Sequence, residues 1–218
     1  MTAPAIYLIY GLLAYLLGAI PFGFLIARAR GVDIRTVGSG NIGATNVFRA
    51  VGKGWGALVF ACDVLKGFIA ASVLPALAGI FWASDGQEFL GLTCACLAVG
   101  GHNWPIYLKF KGGKGVAASV GALIGLAPKA AGVGLLTWAL FFLATRYVSL
   151  ASIAAAMVVG ASVWFFYASQ GMLLPAVLTV LCGLVIWRHK RNIQRLLAGT
   201  ENRFEFRSRP ERRPGEAG

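Results

Sequence analysis

The sequence has few cysteines and few acidic residues. None of the four cysteines shows a C-x-x-C or other paired spacing, and each lies within an apolar segment: Cys62, Cys94, Cys96 and Cys182. We therefore interpret them as small core residues and expect neither a disulfide nor a metal site. The 8 acidic residues face 20 Lys and Arg, giving a net charge of +12. On a soluble protein, such a charge would suggest nucleic-acid binding.

The N-terminus lacks basic residues before its first apolar run. The opening MTAPAIYLIY contains no Lys or Arg, and the first charges, Arg28, Arg30 and Arg35, follow the run. This run is also longer than the apolar region of a signal peptide. We expect a retained first membrane helix whose N-terminus lies outside the cytoplasm.

Long apolar runs fill most of the chain. The sequence is 58% hydrophobic, with a mean hydropathy of +0.72. Recurrent runs of roughly 20 apolar residues are typical of helical membrane proteins. The prediction is an all-α integral membrane protein, a bundle of seven transmembrane helices: 5–27, 55–80, 88–102, 115–128, 130–145, 149–167 and 172–188. The third and fourth spans are short, so we expect them to be tilted or shielded from lipid. Faces rich in Ala and Gly at 115–125 and 151–161 suit close helix packing.

Most basic residues lie in every second loop, and this distribution explains the net positive charge. They concentrate in the segments that a seven-helix bundle places inside: 28–54, 103–114, the turn at Arg146, and 188–218. The outer segments carry Asp85, Glu88 and a single base, Lys129. This asymmetry follows the positive-inside rule, so it predicts a cytoplasmic C-terminus and no nucleic-acid partner.

A glycine-rich polar loop, GSGNIGATN at 38–46, follows the first span, and Arg49 comes soon after. Its glycines allow a tight backbone curl, and Ser39, Asn41, Thr45 and Asn46 add hydrogen-bonding groups. Such a loop before a helix is suited to binding an anion. GSGNIG also matches a dinucleotide fingerprint, but no strand precedes it, so we reject that interpretation. A merely flexible loop remains the alternative.

A second glycine-rich stretch, GGHNWPIYLKFKGGKG at 100–115, places Lys114 among Gly112, Gly113 and Gly115. A lysine among glycines at a helix start can hold phosphate through backbone N–H groups and its own charge. The spacing is not that of a Walker A motif, and the alternative is a basic inner loop. His102 could act as a general base, donate to phosphate or be a satisfied core residue. No aspartate lies five residues later, because that position is Tyr107.

The remaining candidates are isolated polar residues at helix ends or within spans. Asp63 and Lys66 share a helix face and can pair. His189 and Asn192 share a face near the end of the seventh span, and we expect Glu201 to be structural. Arg146 is either functional or a snorkelling topological arginine. Residues 189–199 predict a short interfacial helix, and 207–218 a charged, disordered tail.

Together these motifs resemble one known family. The blocks GSGNIGATNVFR (38–49), GHNWPIYLKFKGGKG (101–115) and RHKRNIQRLLAGTE (188–201) are similar to the signature regions of the bacterial acyl-phosphate-dependent glycerol-3-phosphate acyltransferases, the PlsY family. The resemblance covers nearly the whole chain, so we expect one transmembrane domain over 1–206.

The resemblance implies a reaction and a location. An acyl group would pass from acyl phosphate to the 1-hydroxyl of sn-glycerol 3-phosphate, giving lysophosphatidic acid and phosphate for phospholipid synthesis. The protein would lie in the bacterial inner membrane, use no metal or other cofactor, and face the cytoplasm with its active site. The implied catalytic residues are Ser39, Arg49, His189 and Asn192. The expected substrate-binding residues are Asn41, Thr45, Asn46, Lys66, His102, Gly112, Gly113, Lys114, Gly115, Arg146 and Ser149.

Two other functions would use the anion-binding loops differently. A transporter for a phosphorylated metabolite would share the apolar spans. Such proteins often show internal repeats and a site at the membrane midplane, whereas the basic residues here concentrate in the inner segments. A non-catalytic lipid-binding scaffold would not need two phosphate-type loops. If the protein is the acyltransferase, we hypothesise direct transfer without an acyl-Ser39 intermediate. A further candidate partner is the soluble enzyme that makes acyl phosphate. The C-terminal tail is a candidate contact for that enzyme.

Overall fold

The computed structural model describes residues 2–81 and 87–204, and the regular structure within them is helical. The predicted tail at 207–218 and the outer acid Asp85 lie outside these residues. The α-helices, in chain order, are α1 Ala3–Ala19, α2 Phe22–Ala29, α3 Ala44–Ala50, α4 Lys53–Phe68, α5 Leu74–Phe81, α6 Gln87–Asn103, α7 Val116–Leu126, α8 Pro128–Thr145, α9 Val148–Tyr167, α10 Leu173–Arg188 and α11 Lys190–Leu197. A π-helical turn, Ile69–Val73, joins α4 to α5, and 3₁₀ turns span Ile106–Leu108 and Ala168–Gln170.

Four helical stretches are long and apolar enough to cross a membrane: Ala3–Ala29, Lys53–Ile80, Pro128–Thr145 and Val148–Gln170. The number rises to five if α10 and α11, between which the chain bends by 53°, are counted as one span. By length and composition, these stretches agree with the predicted helical integral membrane protein. The predicted third and fourth spans are helices α6 and α7, of 17 and 11 residues. Both are shorter than the roughly 20 residues that a simple crossing requires, so the count of seven stays a prediction.

The first span is broken at Pro21, and a buried lysine caps the break. Proline cannot donate a backbone hydrogen bond, so α1 ends before it and α2 starts after it. Lys66 on α4 donates to the Ile20 carbonyl at 2.9 Å and pairs with Asp63 at 2.8 Å. Both side chains are nearly inaccessible, at 2% and 3%. The predicted Asp63–Lys66 pair is confirmed, and its lysine joins two spans.

Small residues set close helix contacts, and one of them, Gly121, belongs to the predicted Ala- and Gly-rich face at 115–125. A Cβ added to Gly18 on α1 would lie 2.1 Å from the Ala98 carbonyl oxygen on α6. On α7, a Cβ at Gly121 would lie 1.9 Å from the Val64 carbonyl oxygen on α4. These backbones therefore touch directly, a packing mode common between membrane helices. The contacts fix α4 and α7 side by side, and with them the ends that carry the site.

Candidate active site

A cavity of about 870 Å³ opens where α3, α4 and α7 begin, α8 turns into α9, and α10 ends. That volume lies in the range of small-molecule sites. Its mouth is polar and is lined by Ser39, Asn41, Thr45, Asn46, Arg49, Lys53, Lys114, Gly115, Ser149, His189, Asn192, Arg195, Glu201 and Asn202. Farther in, the lining is almost wholly apolar and includes Val120, Leu123, Ala131, Leu135, Trp138, Phe142, Ala155, Val159, Leu178 and Leu181.

The apolar part is a deep groove lined by α7, α8, α9 and α10. Lining residues on α8 run from Phe142 to Ala131, and those on α9 run from Val148 to Val159. Each run descends ~16 Å at the α-helical rise of 1.5 Å per residue. One leaflet of a membrane is about half of the ~30 Å hydrocarbon core. The groove therefore has the depth of one leaflet, which is the length of a membrane-lipid acyl chain.

Asn46 holds the loop at 38–46, which we call the first glycine loop. The Asn46 side chain is 4% exposed, and its amide nitrogen lies within 3.1 Å of the Ile34, Val37 and Asn41 carbonyl oxygens. Its amide oxygen accepts from the Ser39 N–H at 3.2 Å. Asn46 thus uses its hydrogen-bonding capacity within the protein, and this fixed loop argues against a merely flexible one.

Backbone conformation explains why two positions of the first glycine loop are glycine. Gly38 and Gly40 adopt φ of 60° and 66°, a left-handed region that favours glycine. A Cβ at Gly38 would also lie 2.4 Å from the Asn46 amide oxygen. Within the loop, the Ser39 hydroxyl accepts from the Asn41 N–H at 3.5 Å. The turn presents Ser39 at the cavity mouth, which Arg49 on α3 also lines.

Arg188 and His102 hold residues 112–115, the second glycine loop. The Arg188 guanidinium on α10 donates to the Gly112 carbonyl at 3.3 Å and to the Gly113 carbonyl from two nitrogens. A Cβ at Gly113 would lie 2.1 Å from His102 Nε2, so only glycine fits against the buried imidazole. Sequence reasoning missed Arg188, because RHKRN offers three basic side chains without indicating which one turns inward.

Glu201 connects α9 to α11 at the mouth. Its carboxylate accepts from the Ser149 hydroxyl, the Asn192 amide and the Arg195 guanidinium, each at 2.7 Å. Asn192 in turn accepts from Lys114 Nζ at 2.7 Å. Burial acts to raise the pKa of the Glu201 carboxyl, but the three donors outweigh it and hold the pKa below its ordinary value. The carboxylate therefore stays charged and keeps Ser149 and Asn192 in fixed positions.

The mouth has an excess of positive charge. Arg49, Lys53, Lys114 and Arg195 line it. Among the residues that the structure describes, the acids that line the cavity are Glu201 and Asp63, and Asp63 is paired with Lys66. Burial lowers the pKa of Lys114 to about 8, partly countered by Glu201 and reinforced by neighbouring arginines. A cluster of this kind attracts a phosphate group, which Arg and Lys bind through charge-assisted hydrogen bonds.

Both histidines are oriented through Nδ1. His189 Nδ1 lies 2.8 Å from the Val185 carbonyl oxygen, so that nitrogen carries the proton and Nε2 is an acceptor in the neutral ring. His102 Nδ1 lies 3.5 Å from Asp63 Oδ1. Sequence reasoning sought an aspartate five residues after His102, whereas Asp63 comes from α4. No hydrogen bond joins either histidine to Ser39 within the described part of the chain.

The structure brings most of the predicted site residues together. Those that line the cavity are Ser39, Asn41, Thr45, Asn46, Arg49, His102, Lys114, Gly115, Ser149, His189, Asn192 and Glu201. Gly112 and Gly113 lie behind it, in the loop that Arg188 holds. Lys66 and Arg146 lie away from the cavity. Lys66 caps the break before Pro21. The Arg146 side chain is exposed, and its carbonyl accepts from the Phe204 N–H at 2.8 Å. Sequence reasoning also missed Arg195 and Phe204.

Among residues 2–81 and 87–204, no three His, Cys, Asp or Glu side chains form a metal-binding group.

Comparisons with known proteins agree with this geometry. A family model described as glycerol-3-phosphate acyltransferase matches residues 8–199. The glycerol-3-phosphate acyltransferase of Aquifex aeolicus is 48% identical over 192 residues, which cover 88% of this chain and 95% of the relative. That of Rubrobacter xylanophilus is 46% identical over 200 residues, covering 90% and 94% of the two chains.

Solved structures match the fold. The crystal structure of PlsY, an integral membrane glycerol 3-phosphate acyltransferase, in its glycerol 3-phosphate form is 43% identical, with a TM-score of 0.81 over 91% of this chain and 96% of that one. The lysophosphatidic acid form gives 41% identity and a TM-score of 0.78, covering 91% and 95%. The chain therefore belongs to the glycerol-3-phosphate acyltransferase family and is an integral membrane acyltransferase of phospholipid synthesis.

Proposed function

We propose that the protein transfers an acyl group from acyl phosphate to the 1-hydroxyl of glycerol 3-phosphate, releasing lysophosphatidic acid and phosphate. The observation that carries this proposal is the cavity, in which a basic mouth continues directly into an apolar groove one leaflet deep. A molecule that carries both a phosphate group and a fatty chain needs both parts. The donor and product have that form, and the second substrate needs only the mouth.

The two glycine loops supply one phosphate site each in this proposal. The second glycine loop and Lys114 hold the phosphate of glycerol 3-phosphate, as the family resemblance implies. The first glycine loop, with Ser39 and Arg49, takes the phosphate of the donor. Asn41 and Thr45 remain candidate substrate contacts, because both line the mouth. Asn46 supports the loop through the carbonyls that surround it.

Transfer is direct in this proposal. The glycerol oxygen attacks the acyl carbonyl carbon, a new C–O bond forms, and the bond to the phosphate oxygen breaks. The hydroxyl proton passes to the leaving phosphate or to the Nε2 of His189 or His102. Arg49 and Lys114 stabilise the charge that develops on the phosphate. Because the donor is already activated, alignment of the two substrates supplies much of the effect, roughly 7–11 kcal/mol in favourable cases.

We further propose seven transmembrane helices in the bacterial inner membrane, with the N-terminus outside and the C-terminus in the cytoplasm. The basic residues of the loops support this orientation through the positive-inside rule. The cavity mouth lies at the same end as the basic 103–114 loop and the end of α10. A soluble second substrate would therefore reach it from the cytoplasm.

Purified protein in detergent tests the reaction. Acyl phosphate and glycerol 3-phosphate should give lysophosphatidic acid and phosphate in equal amounts, without vesicles or a gradient. Acyl thioesters supplied instead should give no product. The donor assignment is wrong if folded protein uses a thioester and ignores acyl phosphate. A Ser39-acyl adduct, trapped by acid quench and seen by mass spectrometry, would contradict direct transfer.

A further inference from the structure

The segment that follows α11 crosses the mouth of the cavity. We call residues 200–204 the strap. The Asn202 carbonyl accepts from the Arg49 guanidinium at 3.2 Å, and the Arg203 guanidinium donates to the Thr145 carbonyl at 3.2 Å. The Phe204 N–H donates to the Arg146 carbonyl at 2.8 Å. The strap therefore joins α11 to α3 and to the end of α8.

Unpaired backbone groups explain the position of the strap. The last carbonyls of a helix have no partners within it. At the end of α8, Arg146 adopts a φ of 61°, which turns the chain sharply into α9. The strap satisfies the Thr145 and Arg146 carbonyls at this turn.

Phe204 completes an aromatic wall between the mouth and the groove. Its ring centroid lies 5.1 Å from that of Phe48 on α3 and 5.3 Å from that of Phe142 on α8. Phe142 stacks on Trp138 one turn deeper, at 4.8 Å. All four rings line the cavity. Phe48 directly precedes Arg49, so the wall stands beside the basic mouth, at the level where the groove begins.

We propose that this wall, closed by Phe204 of the strap, excludes water from the acyl carbonyl and so directs the acyl group to glycerol 3-phosphate rather than to water. The inference rests on the proposed acyl-phosphate donor. In a donor whose phosphate lies beside Arg49 and whose chain lies in the groove, the carbonyl sits at the junction of the two. Closed active sites prevent the hydrolysis of reactive groups in this way.

The side reaction that the wall suppresses is hydrolysis. Water attacks the same carbonyl carbon, a C–O bond forms, and the bond to the phosphate oxygen breaks. The products are a fatty acid and phosphate, and the proton from water passes to the phosphate. Water competes with the glycerol hydroxyl for one electrophile, so the ratio of fatty acid to lysophosphatidic acid reports how well the site excludes water.

The test measures that ratio for the wild-type protein, Phe204→Ala and Phe204→Leu, with labelled acyl phosphate and saturating glycerol 3-phosphate. Spontaneous hydrolysis is subtracted from samples without protein. We expect the ratio to rise roughly tenfold for Phe204→Ala, because a small side chain opens the wall to water. Phe204→Leu should return it to within about threefold of the wild-type value, since leucine restores most of the apolar volume. A general loss of stability would lower total turnover without changing the ratio.

Phe165→Ala is the matched control, because this phenylalanine on α9 is 85% exposed and lies away from the cavity. Its ratio should equal that of the wild type. If Phe204→Ala does not fold, Phe48→Ala opens the wall from α3 and should raise the ratio similarly. The inference is overturned if the folded Phe204 or Phe48 variant keeps the wild-type ratio. Failure of wild-type protein to make lysophosphatidic acid from acyl phosphate would instead overturn the proposed donor, which separates the two failures.

Discussion

The two glycine loops at the cavity mouth have similar compositions but are held by different means. The first glycine loop is supported from within, by the Asn46 side chain and by glycines of positive φ. The second glycine loop is supported by side chains of other helices. Arg188 on α10 donates hydrogen bonds to its carbonyls, and His102 on α6 fills the space beside Gly113. The first is thus a local structure, and the second forms only once three helices have packed.

The two loops also differ in why particular glycines are needed, although Gly115 of the second loop shares a positive φ, at 81°. At Gly38 and Gly40 the residue type relieves a strained backbone, and the reason is conformational. At Gly113 φ is not positive, and the reason is the close approach of the His102 imidazole. A change in the second loop should therefore be transmitted to the bundle, whereas a change in the first should remain near Ser39 and Arg49.

Gly113→Ala should give the largest effect. Its Cβ would lie 2.1 Å from His102 Nε2, and a buried ring has little room to move. Overpacking of this kind costs up to about 3 kcal/mol, or roughly 100-fold in an equilibrium constant. We expect the KM for glycerol 3-phosphate to rise by about that factor, with a smaller change for the acyl donor, in steady-state assays.

Gly132→Ala on α8 is the matched control, because a Cβ there meets nothing within 4 Å. It should leave both KM values unchanged. Equal increases in both KM values for Gly113→Ala would contradict a specific role of the second glycine loop in binding glycerol 3-phosphate.

Asn46→Asp should give an intermediate effect confined to the first glycine loop. A carboxylate cannot donate to the Ile34, Val37 and Asn41 carbonyls, and its charge would face them. Leaving such groups unpaired costs roughly 2 kcal/mol. We expect kcat to fall about tenfold or more, and the thermal midpoint in detergent to fall by several degrees.

Gln194→Glu on the exposed side of α11 introduces the same change in charge without a buried partner, and it should alter neither quantity. The internal support of the first glycine loop by Asn46 would be wrong if Asn46→Asp kept the wild-type midpoint and kcat.

The pH dependence of glycerol 3-phosphate binding should be the smallest effect. With a pKa of about 8, Lys114 loses its proton as the pH rises through that value, because burial disfavours its charged form. A phosphate monoester is already a dianion there, since its second pKa is about 6. Between pH 7.5 and 8.5 the charged fraction, and with it the affinity, should fall about threefold.

The Lys114→Arg variant keeps its charge throughout this range and should show a flat profile in the same KM measurements. A threefold fall in that variant as well would assign the titration to another group.

The helices were largely predictable from the sequence, because membrane spans depend on local composition. The predicted spans 130–145, 149–167 and 172–188 correspond to Pro128–Thr145, Val148–Tyr167 and Leu173–Arg188. The glycine loops, the Asp63–Lys66 pair and the shared face of His189 and Asn192 were also predictable, since each depends on residues close in the chain. Lys66 and Arg146, which were also predicted to bind substrate, do not line the cavity, because polarity in the sequence does not show which way a side chain points.

The sequence by itself determined a helical membrane protein with basic loops, two phosphate-type motifs and a family. Only the tertiary structure decided which groups meet. His102 lies near Asp63, Arg188 grips the second glycine loop, Glu201 joins α9 to α11, and Phe204 closes a wall with Phe48 and Phe142. The physical reason is distance along the chain. Composition and period act within one helix, whereas these contacts join residues from separate helices and depend on how small residues let those helices approach.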